Sequence, residues 1–183
     1  MRRVVVITTG GTIEKTYDEQ TGELANRRSI VHRMLSELRL EEVEVDVVEL
    51  MSKDSLEMTD ADRDHITAAV GDALAADGGL AGVVVLHGTD TLTVTGERLH
   101  RELPAPPVAV VLTGAMRPFE MKRSDALQNL TEALFAARSL APGVYCVAHG
   151  RALPFPGVVK DRDHGTFALA GAAAGARTGA PGG

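Results

Sequence analysis

Val4-Val5-Val6-Ile7 and Val83-Val84-Val85-Leu86 are apolar at every position, with no alternation of inward and outward residues. A strand written this way must be covered on both faces, which is the condition of parallel strands in an α/β sheet. Each run opens into a turn rich in Gly and Thr: Thr8-Thr9-Gly10-Gly11-Thr12 after the first, His87-Gly88-Thr89-Asp90-Thr91 after the second. Open α/β sheets bind ligands outside the carboxyl ends of their strands, so the two turns are expected to meet in one crevice. Threonine is a weak nucleophile unaided and needs a neighbour that accepts its proton. Asp90 and a lysine further along the chain are the candidates.

Strand-like segments recur at Arg3 to Thr8, Val43 to Met51, Gly82 to Leu86, Pro107 to Leu112 and Gly143 to Ala148. Helical patterns fall between them. Ser29 is placed to cap a helix carrying Ile30, Met34, Leu35 and Leu38, and Thr59 one carrying Ile66, Ala69, Val70, Ala73 and Leu74 before Gly78-Gly79. Thr91 to Leu103 stops at Pro104, and a fourth pattern from about Asp125 to Ala141 places Leu127, Leu130, Leu134 and Ala137 on one face. This alternation predicts a doubly wound, mostly parallel sheet flanked by helices, a Rossmann- or flavodoxin-like three-layer sandwich. The 183 residues suit a single domain, which buries roughly 70% of its unfolded surface. That domain is read as residues 1–169, and the Ala/Gly-rich stretch 170–183 as a disordered tail. Glu14 to Arg28, mostly polar with Tyr17 and Gly22 in it, is too long for a βα turn and is read as a lid without regular structure.

A formal net charge of -6 without a Lys/Arg cluster argues against nucleic-acid binding. Two Tyr, four Phe and no Trp supply no stacking platform. Cys146 lies in an apolar run and has no second cysteine to pair with. No apolar stretch approaches the ~20 residues of a membrane span, and the opening Met1-Arg2-Arg3 precedes a hydrophobic run too short for a signal peptide. The expectation is a cytoplasmic protein acting on a small molecule, without nucleic acid or membrane.

Thr12 follows two glycines, which free the backbone to aim N–H groups at a carbonyl or oxyanion. The same spacing fits neither a dinucleotide fingerprint nor a phosphate loop, although the glycines alone would also make a tight turn. Asp90 is either a helix cap or a functional carboxylate, and His87 is a possible general base with no acidic orienter nearby in sequence. Thr113-Gly114-Ala115-Met116-Arg117-Pro118, followed by Ser124-Asp125-Ala126, repeats the strand-then-Gly pattern at a third strand end. Lys160, in Gly157-Val158-Val159-Lys160-Asp161, is either a surface lysine or a proton carrier tuned by burial and a carboxylate.

Taken together, Thr8-Thr9-Gly10-Gly11-Thr12-Ile13-Glu14, Asp54-Ser55, His87-Gly88-Thr89-Asp90-Thr91, Thr113 to Pro118 and Val159-Lys160 stand in the order and rough spacing of the bacterial-type L-asparaginases, which this chain resembles over residues 3 to 167. The resemblance implies hydrolysis of the side-chain amide of L-asparagine through a covalent acyl-threonine, with no metal and no organic cofactor. It assigns Thr12 as nucleophile, Tyr17 as its helper on the loop, and Thr89, Asp90 and Lys160 as a hydrogen-bonded proton-transfer set. It also assigns substrate contacts to Gly11, Asp54, Ser55, Gly88, Thr89 and Asp90, with Ser55 on the α-carboxylate and Asp90 on the α-amino group. A homodimer or higher homo-oligomer is implied in the same way. Two departures are visible. The chain ends where such enzymes continue into a C-terminal domain, so the expectation is a short, single-domain enzyme. Leu56 stands where many members carry a polar residue facing the substrate amino group, and Glu57 is the nearby carboxylate that would substitute. A mixed glutaminase-asparaginase and a non-catalytic amino-acid sensor are the competing readings.

Overall fold

The computed structural model describes residues 2–76 and 78–171. Its centre is a six-stranded sheet built from β1 (Arg2–Gly10), β4 (Val43–Lys53), β5 (Leu80–Leu86), β6 (Ala109–Thr113), β7 (Gly143–Ala148) and β8 (Arg151–Pro154), in the order β4-β1-β5-β6-β7-β8. The first five are parallel, and β8 returns antiparallel to β7. The chain leaves β1 to form β4 on one side and then crosses to β5 on the other, so the winding reverses between β1 and β5. That reversal is the topological switch point where doubly wound sheets form their crevice.

The all-apolar runs feed two cores in alternation. Val5, Ile7, Val83 and Val85 face a cluster with Ile66 and Val70 of α2 (Asp60–Ala75) and Leu92 and Leu99 of α3 (Leu92–Glu102). Val4, Val6, Val84 and Leu86 face the opposite cluster with Val31 and Met34 of α1 (Val31–Ser36) and Leu130 and Leu134 of α4 (Ala126–Ser139). Each such side chain contributes about 1.5–3 kcal/mol relative to leaving it in water, so the mostly parallel three-layer arrangement follows from the pattern. Thr59 caps α2, as its sequence predicts, and the structure adds a reciprocal box with Asp62. Lys53, ahead of the Thr59 hydrogen bonds, draws the Asp62 carboxyl down to about 2.

Three expectations need correction. The helix after Ser29 is only six residues long, with Ile30 at its N-cap and Leu38 outside it; Ser29 Oγ accepts from the Val31 N–H at 3.3 Å while its own proton goes to Glu14. The segment Glu14 to Arg28 is not without regular structure, since β2 (Thr16–Asp18) and β3 (Glu23–Ala25) pair as a hairpin. The segment following β8 adds an unforeseen antiparallel pair, β9 (Val158–Asp161) and β10 (Thr166–Leu169). The Gly157 N–H donates to Glu97 of α3 at 2.6 Å, and Arg151 donates to the Phe167 carbonyl at 2.9 Å, which ties this pair to the sheet. Most of the stretch read as a tail, residues 172–183, lies outside the described residues. No described helix is long and apolar enough to cross a membrane.

Candidate active site

Gly10 and Gly11 both take positive φ, +93° and +78°. A Cβ on Gly11 would stand 2.4 Å from the Gly88 backbone N and Cα, so the first turn touches the second because neither residue has a side chain. A Cβ on Gly88 would in turn stand 2.5 Å from Ser55 Oγ. The carboxyl ends of β1, β5 and β4 thus converge at the switch point. Thr12 begins a single 3-10 turn, Thr12–Glu14, directly above this contact, and is partly buried.

Glu14 holds that turn from behind. Its buried carboxyl accepts from the Gly10 N–H at 3.1 Å, from the Ile30 N–H at 3.3 Å and from the Ser29 hydroxyl, and burial raises its pKa above the ordinary carboxylate value. Asn26 donates to the Gly11 carbonyl at 2.8 Å. Both ends of the hairpin segment are therefore pinned to the Thr12 turn. Tyr17 is not drawn in: its side chain is 58% exposed, and its hydroxyl lies over Gly22 of the same hairpin. Its backbone N–H donates to Glu120 at 3.0 Å. Among the residues assigned to catalysis, Tyr17 is the one the structure leaves apart from the rest.

The second turn carries the polar centre. Thr89 is 4% exposed, and Lys160 Nζ donates to its Oγ1 at 2.7 Å and to Asp90 Oδ1 at 3.0 Å. The side chain of Lys160 is largely buried, so it is not a surface lysine. Asp90 does not cap α3: Thr91 occupies the N-cap without a side-chain bond, and the Asp90 carboxylate is committed to cations. Lys160, ahead of Arg162, holds the Asp90 carboxyl below the usual carboxylate range. Lys160 is brought here by β9, whose Val158 packs into the core while Lys160 points back over the turn.

Asp54 accepts from Lys15 Nζ at 2.6 Å and from the Leu56 N–H at 3.0 Å, and the Lys15 bond is the main cause of its lowered pKa. Ser55 is buried, and its carbonyl accepts from the Thr91 hydroxyl at 2.8 Å, locking the β4 turn to the start of α3. Leu56 is 69% exposed. Glu57 lines a cavity of about 260 Å³ shared with Lys15, Asn26, Ser52 and Asp54, on the β4 side of the crevice.

His87 is excluded as a general base. It is fully buried, its Nδ1–H donates to the Gly88 carbonyl at 2.9 Å, and Nε2 accepts from the Thr95 hydroxyl at 2.8 Å. The carbonyl can only accept, which fixes the neutral tautomer. Burial pushes its pKa down to about 4. The unfolded chain takes up this proton near pH 6.5 and the folded one only near 4, so stability falls as pH drops between them. The expected contribution is on the order of 3 kcal/mol across that window. Urea unfolding between pH 7 and 5 should show a steeper loss for the wild type than for His87→Gln; equal slopes would exclude this role.

The third strand end is also organised. Asp125 accepts from the backbone N–H groups of Met116 and Arg117 at 3.0 to 3.1 Å and pairs with His149 Nε2 at 2.7 Å. A Cβ on Gly114 would lie 2.2 Å from the His87 carbonyl, so this turn forms the wall beside Thr89. Four contributors are assigned no role by the sequence, although Glu14 and Asp125 stand within its motifs: Glu14, Lys15, Asp125 and Arg162, the last reaching Asp90 Oδ1 at 3.0 Å. Arg162 sits two residues after Lys160, just past β9, and that alternation was the available signal.

The model of a protein family described as "Asparaginase, N-terminal" matches residues 3–175. L-asparaginase of Thermococcus kodakarensis is 33% identical over 143 residues, covering 78% of this chain and 43% of that one. A subunit of the glutamyl-tRNA(Gln) amidotransferase of Aeropyrum pernix is 36% identical over 163 residues, covering 81% of this chain and 35% of that one. Among solved structures, the thermostable L-asparaginase from Thermococcus kodakarensis superimposes with a TM-score of 0.80 at 30% identity, covering 91% of this chain and 51% of that one. The chain thus spans about half or less of the length of the relatives it matches.

Proposed function

This chain belongs to the asparaginase family, and we propose that it is an amidohydrolase that converts L-asparagine to L-aspartate and ammonia through an acyl-threonine on Thr12. The observation that carries the proposal is the Lys160–Thr89–Asp90 set, closed at 2.7 and 3.0 Å on a turn in direct contact with the Thr12 turn.

In this reading Thr12 Oγ attacks the amide carbon, and the Gly-rich turns offer backbone N–H groups to the oxyanion. Thr89 and Lys160 take up the proton that Thr12 loses and deliver it to the leaving nitrogen as the carbon–nitrogen bond breaks and ammonia departs. Water then cleaves the ester, returning the proton to Thr12 and releasing aspartate. Ser55 and Gly88 line the carboxylate end, with Asp54 holding the β4 turn through Lys15. Tyr17 closes over Thr12 when the hairpin moves, a displacement its exposed side chain permits. A cytoplasmic homodimer of this domain is part of the proposal, which light scattering reads as twice 19.3 kDa.

A glutamine-accepting reading is favoured by the glutamyl-tRNA(Gln) amidotransferase relatives. One methylene is worth only about 1–3 kcal/mol in a pocket. Ammonia release from purified protein with L-asparagine, L-glutamine or no substrate decides between them: asparagine is expected to be turned over faster by at least about tenfold. Faster release from glutamine would reverse the assignment, and binding of L-aspartate without release from either would mark a sensor.

A further inference from the structure

His149 stands in the turn between β7 and β8 with a φ of +53°, a left-handed conformation uncommon for a residue that carries a side chain. Such a conformation persists only where its surroundings hold it. Here its backbone N–H donates to Asn129 Oδ1 at 3.1 Å, Nε2 donates to Asp125 Oδ2 at 2.7 Å, and Nδ1 meets the Thr166 hydroxyl at 2.9 Å. A carboxylate can only accept, so Nε2 carries a proton on the Asp125 side, and Nδ1 bonds the hydroxyl whether it accepts from it or donates to it. The two ring bonds reach different parts of the site. Asp125 holds the Met116 and Arg117 N–H groups of the turn that walls Thr89, and Thr166 opens β10, paired with Asp161, the neighbour of Lys160.

β9 and β10 form a sheet of their own, separate from the six-stranded one. Lys160 is therefore set over Thr89 by side-chain ties rather than by a ladder. Val158 and Phe167 sit in the core, Glu97 holds the Gly157 N–H at the far end of β9, and Arg151 and His149 hold Phe167 and Thr166 at the near end. Of these ties, the one through His149 has its other end on the turn beside Thr89. Resting on the amidohydrolase reading above, we infer that His149 is a positioning residue, which by bridging Asp125 and Thr166 fixes the strand pair carrying Lys160 against the Thr89 turn. It acts through Lys160, and a misplacement of about 1 Å in a proton-carrying group can cost about a hundredfold in rate.

The test reads Lys160 directly. Brief acetylation with acetic anhydride, followed by mass spectrometry, compares Lys160 with Lys15, Lys53 and Lys122 in wild type, Thr166→Val, His149→Gln and His149→Asn, alongside kcat and KM for ammonia release from L-asparagine. In wild type Lys160 should react slowly, its side chain 15% exposed and its Nζ bonded to Thr89 and Asp90. Thr166→Val keeps the strand's shape, and the amide of His149→Gln reaches Asp125 alone; each should speed Lys160 acetylation by about tenfold. The same two variants should lower kcat by about tenfold or more while KM changes by less than about threefold. His149→Asn, whose amide oxygen stands in for Nδ1 toward Thr166, should lie nearer wild type on both readouts. An unchanged Lys160 rate in Thr166→Val overturns the inference, and so does equal acceleration at all four lysines, which marks general loosening. A wild type that releases no ammonia from L-asparagine or L-glutamine overturns the amidohydrolase reading, and the Lys160 rates still decide whether His149 places that side chain.

Discussion

Thr12→Ala should lower ammonia release from L-asparagine by at least about a thousandfold while leaving the urea midpoint of unfolding nearly unchanged. The expectation of a folded variant comes from the position of the side chain. Thr12 is partly exposed at the start of a one-turn helix, its backbone is fixed by neighbours, and the bonds from Gly10 to Glu14 and from Asn26 to Gly11 do not involve its hydroxyl. The expectation of lost turnover comes from the geometry opposite. Thr89 is nearly buried and already accepts from Lys160, which suits it to moving protons, while Thr12 is only partly buried. Thr89→Ala should also be inactive, and it should retain affinity for L-aspartate; a Thr12→Ala protein with more than about a tenth of wild-type turnover would move the nucleophile elsewhere.

Gly11→Ala is expected to be among the most damaging single-methyl changes at the described residues. A Cβ there must stand 2.4 Å from the Gly88 backbone, at a φ of +78°. The positive φ alone costs about 1–2 kcal/mol. The clash is between two backbones, neither of which can rotate away, so the total should reach about 4 kcal/mol or abolish folding. Gly22→Ala separates the two effects. It has a similar φ of +74°, yet its added Cβ would find only the Tyr17 hydroxyl at 4.0 Å. Urea titrations should therefore show a small loss for Gly22→Ala and a loss about three times larger for Gly11→Ala, with activity lost only in the second. Equal losses would mean that the crevice is not closed by the contact between the two turns.

The central sheet was legible because both apolar runs alternate between two cores, and because every long helix pattern was bounded by a cap or a breaker. Thr59 and the stop at Pro104 are examples of such signals. The C-terminal strands were harder to read. β8, β9 and β10 are four residues each, too short for periodicity to declare itself, and they are held by distant partners such as Glu97 and Arg151. The hairpin around Tyr17 was missed for a similar reason: three-residue strands of mixed polarity carry no alternation.

At the site, Thr12, Thr89, Asp90 and Lys160 could be named because they lie in or beside Gly-rich strand ends or an apolar run. Glu14 and Asp125 could not, since their work is to accept hydrogen bonds from backbone N–H groups that sequence does not place. His87 agrees with its sequence context: a histidine at a strand end invites a catalytic reading, but the missing acidic orienter argues against it, and complete burial and a carbonyl on Nδ1 keep it neutral and structural. Ser29 is a mixed case, accepting from the Val31 N–H at the start of α1 while its own proton goes to the buried Glu14 carboxylate.

Mass spectrometry of protein quenched in acid during turnover of L-asparagine tests the central claim most directly. One β-aspartyl group should be found as an ester on the peptide containing Thr12 and absent from Thr12→Ala. An adduct on Thr89, or steady ammonia release with an unmodified Thr12 under conditions that preserve the ester, would contradict it.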